Sequence, residues 1–263
     1  MSIIVRKRAW SLLLCGFCAS TSFASVTFKD IFYNDNWFLG ASIGAAWPSL
    51  ENHTRVSNGN PLPYPIDYDD YTIKHSSATK DWSFYLGYRW LRDQAKWAPQ
   101  YRVALRYQSL STYRVSGAIE QYSLPDFLSY TYHANVYSNA LTLFGKLDIY
   151  DFHSFEPYIS LGLGQANNQF STYSEKPYLD VDTRLNPAFH NRRGTNFTYN
   201  VGAGLDYIIN KKVSVSLGYE YANWGTVRSS AGVGPDWYGT TLSLGNLSSN
   251  ALLFTVFYQL PLG

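Results

Sequence analysis

The segment NVGAGLDYIINKKVSVSLGYEY, residues 200 to 221, constrains this chain more than any other. Val201, Ala203, Leu205, Tyr207 and Ile209 alternate with Asn200, Gly202, Gly204, Asp206 and Ile208. Beyond Asn210, Lys211 and Lys212, Val213, Val215, Leu217, Tyr219 and Tyr221 alternate with Ser214, Ser216, Gly218, Glu220 and Ala222. A period of two is a strand signature, so the segment is a hairpin with one apolar face and one polar or small face. A soluble barrel hides the apolar face inside, whereas a membrane barrel turns it outward to lipid.

The same alternation recurs along the chain. Strands are expected at 37–46, 82–90, 101–109, 139–150, 157–165, the opening pair, and 250–260, eight in all. Short connections lie at 91–100, 151–156 and 210–212, and long ones at 47–81, 110–138, 166–196 and 222–249. Short turns at one end and long loops at the other describe an all-β, antiparallel up-and-down barrel. In transmembrane barrels the short turns are periplasmic and the long loops extracellular.

Three features choose the inside-out version. Glycines and serines repeat on the second face, where they would weaken a solvent-facing strand but leave room in a narrow lumen. Aromatic residues make up 17% of the chain, and Trp37, Trp90, Tyr101, Tyr150 and Tyr258 fall near strand ends, as an interfacial belt requires. Closure leaves no sheet edge unpaired at bilayer depth. A mean hydropathy of -0.22 does not oppose this, because only alternate residues of a membrane strand meet lipid.

Arg6, Lys7 and Arg8, a short apolar run and Ser22 to Ala24 read as a cleavable secretory signal over residues 1–24, leaving 25–263 as one barrel domain. Both cysteines, Cys15 and Cys18, fall inside that signal, so no disulfide or thiol nucleophile is expected in the exported part. A net charge of +2 gives no reason to expect a nucleic-acid partner.

The stretches EPYISLGLGQA, NVGAGLDYIINKKVSVSLGYEY and ALLFTVFYQL make the chain similar to the OmpA-like and opacity-type family of small outer-membrane β-barrels. The resemblance implies a Gram-negative outer-membrane location and a monomeric barrel among lipid and lipopolysaccharide. It also implies handling by periplasmic chaperones and the barrel-assembly machinery. QLPLG follows the closing alternation, so the assembly signal is expected to lie just inside the end.

Two groups of residues are candidate sites. Arg89, Arg102, Arg106 and Lys146 fall on the inward face and are expected to pair with Asp148, Asp206 and Glu220 as a lumen charge network, because an unpaired buried charge is costly. Tyr64, Tyr68, Tyr71, Tyr122, Tyr130, Tyr132, Tyr173, Tyr178, Trp237 and Tyr238 lie in the expected loops among Ser, Asn, Pro and Gly. Tyr among small polar residues is the composition of adaptable binding loops. Such loops suit a host-surface or matrix protein. His75 and Ser77 have the spacing of an outer-membrane lipid A hydrolase, and DYDDY (67–71) gathers carboxylates as a calcium site might. Both are ordinary loop composition, so no catalytic residue, metal or cofactor is assigned. The leading expectation is a non-enzymatic surface protein that supports the envelope and binds an extracellular partner. A narrow low-conductance channel comes second and a lipid A hydrolase third.

Overall fold

The computed structural model describes residues 36–74, 78–90, 99–152, 154–178, 181–182, 189–233 and 239–260. Ten strands form: β1 (Trp37–Ser49), β2 (His53–Ser57), β3 (Tyr68–Thr72), β4 (Thr79–Trp90), β5 (Gln100–Glu120), β6 (Leu128–Asp148), β7 (Phe155–Pro177), β8 (Arg192–Ile208), β9 (Val213–Arg228) and β10 (Ser243–Gln259). Eight of them close a ring in which neighbours are antiparallel, in the order β1-β4-β5-β6-β7-β8-β9-β10 and back to β1. The remaining hairpin, β2–β3, lies within the first long connection and pairs with the far end of β5. Among the described residues no helix is long and apolar enough to cross a membrane.

The ring is inverted relative to a soluble barrel. Ile43, Leu143, Phe197, Val201, Leu217 and Phe254 stand exposed on the outside, while Arg102, Arg106, Lys146, Asp206 and Glu220 are buried within. An apolar belt of this extent is untenable in water and is what lipid requires. Trp37, Trp90, Tyr101, Tyr150, Tyr207 and Tyr258 lie toward the short-turn end of that belt.

The strands run much further than the alternation in the sequence suggested. β5 and β6 have 21 residues each, about twice the ~9–11 that cross a bilayer. The expected loop 110–138 is mostly these two strands, joined by two short 3-10 turns at 121–123 and 125–127. Likewise β7 and β8 occupy much of 166–196, and β9 and β10 much of 222–249.

In this upper extension the polarity reverses. Leu110, Tyr113, Val115, Ile119, Tyr132, Val136, Phe170, Trp224, Leu242, Leu244 and Leu247 pack inside as a conventional apolar core. On β6 composition alone makes the change, since the inward even positions run unbroken from Lys146 to Tyr132; elsewhere bulges contribute, because one extra residue moves every later side chain to the other face. On β5 a register shift between Leu110 and Tyr113 turns the odd positions from outward to inward. On β9 and β10 the shifts fall at Gly225 and Gly245, whose φ of +78° and +76° lie in the left-handed region that glycine tolerates. The molecule therefore has two storeys: a polar lumen at lipid level, and an apolar core beyond it.

Candidate functional site

In the lower storey, strand parity carries charged side chains to the axis and closure decides which of them meet. Two clusters form. In the first, Arg102 on β5 lies 3.2 Å from Asp148 on β6, 3.1 Å from Asp206 on β8 and 3.9 Å from Glu156 on β7. Lys146 lies 2.5 Å from Asp206 and 3.8 Å from Asp148, and Ser216 Oγ donates to Asp206. Gln100 Nε2 donates to Asp148 at 3.1 Å. Carboxylate oxygens of Asp148, Glu156 and Asp206 fall within 4.8 Å of one another, a spacing that could suit a cation. Arg102 and Lys146 already supply positive charge at that place.

In the second cluster Arg106 meets Glu220 with two guanidinium nitrogens, at 2.5 and 3.0 Å. Its Nε and Nη2 also donate to Ser83 Oγ, at 3.2 and 3.0 Å. Gln108 Nε2 bridges Asp81 at 2.8 Å and Glu220 at 3.1 Å. Between the clusters lies an aromatic layer of Phe38, Tyr85, Phe144 and Phe257. The Arg106 guanidinium sits 5.1 Å from the Tyr85 ring and 5.5 Å from Phe144, and Lys146 Nζ lies 3.7 Å from the Tyr158 ring. A space of about 20 Å³ remains beside Tyr158 and Glu220, room for about one water.

Of the expected charge set, Arg102, Arg106, Lys146, Asp206 and Glu220 are thus brought together in two groups. Arg89 is not: it lies at the short-turn mouth, where it makes no ion pair or side-chain hydrogen bond among the described residues. Asp81, Glu156, Gln100 and Gln108 complete the clusters and were not singled out from sequence. The alternation alone leaves Asp81 and Glu156 in connections, and carrying it one position further on each strand finds them.

The tyrosines divide. Tyr71, Tyr130, Tyr132 and Tyr173 are corrected: they lie on β3, β6 and β7, and all are buried in the upper core. Tyr71 meets Tyr132 edge to face at 5.5 Å, Tyr132 stacks on Tyr173 at 5.9 Å, and Phe189 closes the group. Their hydroxyls staple connections: Tyr132 donates to the Thr72 carbonyl at 3.1 Å and Tyr130 to the Asp182 carbonyl at 2.7 Å. Burial pushes the Tyr132 and Tyr173 phenols well above their ordinary range. Tyr64 (59% exposed) and Tyr178 (41%) are accessible, and Tyr68 and Tyr122 are half-buried. Trp237, Tyr238, His75, Ser77 and the expected signal at 1–24 lie outside the described residues.

The DYDDY segment is β3 rather than a solvated loop. Asp69 accepts from Asn58 Nδ2 at 2.9 Å and from the Tyr122 amide at 3.1 Å. Asp70 pairs with Arg55 at 2.9 Å and His53 at 3.3 Å. These contacts put Tyr64, Tyr68, Tyr122 and Phe127 on one rim, with Tyr64 and Tyr68 at 6.5 Å and Tyr122 and Phe127 at 5.6 Å between ring centres.

Several solved structures are similar to the chain. Neisserial surface protein A is 13% identical over 85% of this chain and 97% of its own, with a TM-score of 0.40. OprG from Pseudomonas aeruginosa is 12% identical over 85% and 96%, with a TM-score of 0.47. Ail of Yersinia pestis, solved in complex with the heparin analogue sucrose octasulfate, is 13% identical over 85% and 98%, with a TM-score of 0.33. No curated protein matches the sequence. The model of the outer membrane protein beta-barrel domain matches residues 11–246, so the chain belongs to that family and to the outer membrane of a Gram-negative bacterium.

Proposed function

We propose that this barrel is a non-enzymatic surface protein that binds an extracellular partner, a host-surface or matrix protein, through the rim at its long-connection end. The observation that supports this is the exposed apolar set on that rim. Leu62, Tyr64, Phe127 and Leu128 are each more than two-fifths exposed beyond the lipid-facing belt. They rest on the upper core and on the β2–β3 hairpin, and function concentrates on loops held by a rigid scaffold. Aromatic side chains give large contact area at low entropy cost, which suits them as anchors. The lumen clusters are read as structural, because paired charges and rings fill the space a channel would need.

The test is binding of cells or purified matrix and serum proteins to bacteria displaying the full chain. Deletion of 58–67 or the pair Tyr64→Ala and Phe127→Ala should reduce binding about tenfold or more, the loss of one strong anchor. Binding equal to the parent, with surface level unchanged, would sink the reading.

A further inference from the structure

The strand register places three cations side by side on the inward face at the short-turn end. Arg89 on β4 lies opposite Arg102 on β5, and Arg102 lies opposite Lys146 on β6. Like charges directly opposed across strands destabilise a sheet. Arg102 is answered by Asp148 and Asp206, and Lys146 by Asp206. Arg89 makes no ion pair or side-chain hydrogen bond among the described residues: it feels Glu156 and Asp148 only at longer range, both already engaged with Arg102, and its Nε is shut away from solvent without a hydrogen-bond partner.

Arg89 opens onto a cavity of about 440 Å³ at the mouth, shared with Lys211, Lys212, Asn210, Gln100 and Gln259. A smaller space of about 10 Å³ lies beside it, lined in part by Arg89, Arg102 and Lys212. The turn that carries the lysines is fixed by Asn210, whose Oδ1 accepts from the Lys212 and Val213 amides at 2.8 and 2.9 Å. Glu156 is the acid in the described wall, and it belongs to the Arg102 cluster. The mouth thus presents one half-buried guanidinium and two exposed lysines, with no free carboxylate among its described lining residues.

We propose that this mouth is an oxyanion site that takes a phosphate group, with Arg89 as the bidentate fork and Lys211 and Lys212 as point charges. A guanidinium matches two oxygens of a phosphate at once, while ammonium groups contribute charge without fixed direction. Inorganic phosphate or a monoester carries ≈ -1.5 to -2 at neutral pH, and a phospholipid diester a single charge shared by two oxygens, so each offers the fork its pair of acceptors. The cavity is more than ten times the ≈ 30 Å³ share of one water, so the phosphate has room for its substituent. Short turns face the periplasm in such barrels, and Trp90, Tyr101, Tyr207 and Tyr258 ring this end at headgroup level. A soluble phosphate and an inner-leaflet phospholipid headgroup can both reach it.

The experiment uses the full chain folded in maltoside micelles, which contain no phosphate. Inorganic phosphate is titrated against the amide resonances of Lys212 and Val213, with chloride at equal ionic strength as reference. A saturable shift is expected with phosphate and not with chloride. Arg89→Gln should weaken it about tenfold, the value of one lost charge-assisted contact, and Lys212→Gln about threefold. Arg89→Lys keeps the charge, should fold as the parent does by heat-modifiable mobility, and should still lose most of the affinity because the fork is gone. In bilayer discs, resonances already shifted by phosphatidylglycerol and insensitive to added phosphate identify the lipid headgroup as the source. Resonances that still titrate identify soluble phosphate. A response linear in phosphate, or one unchanged in both Arg89 variants, overturns the proposal.

Discussion

Arg106 is fully buried, and its counter-ion Glu220 is 114 positions away in sequence. Taking two charges from water costs several kcal/mol per ion, and the pair offsets this only while both partners stay. Glu220→Ala should therefore destabilise the barrel by about 3–5 kcal/mol, whereas Arg106→Met with Glu220→Met should cost much less. Equilibrium urea unfolding in micelles measures both, and equal losses would show that Glu220 is not the partner that keeps Arg106 tolerable. Trp224, also fully buried and donating to Ser249 Oγ at 2.9 Å, should cost about 3–5 kcal/mol on truncation to Ala. Strand parity in the sequence placed Arg106 and Glu220 in the lumen. It did not say that they face each other, because that is settled by closure of the ring and not by any local pattern.

The β2–β3 hairpin is the element the sequence hid most completely, since five-residue strands at 53–57 and 68–72 carry too few positions for a period to register. It docks on β5 through the Lys74 amide to Ser116 (2.7 Å) and the Ala118 amide to Thr72 Oγ1 (3.0 Å). Gly117 permits the approach: a Cβ there would collide with the Thr72 carbonyl oxygen and with the Tyr132 ring. Gly117→Val should release the hairpin to protease cleavage within 58–67 while the lipid-level ring keeps its heat-modifiable mobility. Docking should also depend on pH through Asp70. Burial raises its carboxyl, but hydrogen bonds from Arg55, Ser123 and His53 outweigh that and hold it below the usual carboxylate range. A carboxyl lowered in the folded state contributes stability above its unfolded pKa of about 3.9, and loses it as pH falls through the folded value. Pepsin cleavage of the hairpin should rise on acidification below pH ~4, and Asp70→Asn should flatten that dependence.

At the scale of the whole molecule, one ring of strands carries two storeys of opposite polarity, a polar lumen at lipid level and an apolar core beyond it. The lipid-level storey was legible because its strands alternate cleanly, as β8 and β9 do, with glycines marking the crowded interior. The upper storey reads as loops in the sequence because its strands have Tyr, Asn, Ser and Thr on both faces, and because bulges at Leu110, Gly225 and Gly245 break the period mid-strand. Buried Tyr132 and Tyr173 and exposed Tyr64 look alike in sequence, and tertiary packing alone separates them. The boundary between storeys has a measurable consequence along β7. Leu161 faces out in the middle of the apolar run Ile159, Leu161 and Leu163, and Asn167 faces out two outward positions beyond Leu163. Leu161→Arg should cost about 2–4 kcal/mol in reversible unfolding from lipid vesicles, because a cation at the bilayer midplane loses its hydration. Asn167→Arg should cost only ~0–1 kcal/mol, since its guanidinium reaches water at the interface. In lipid-free micelles of short-chain detergent the gap between the two should narrow. If the two substitutions cost the same in vesicles, lipid does not end between Leu163 and Asn167, and the apolar core beyond Leu110 lies within the bilayer rather than above it.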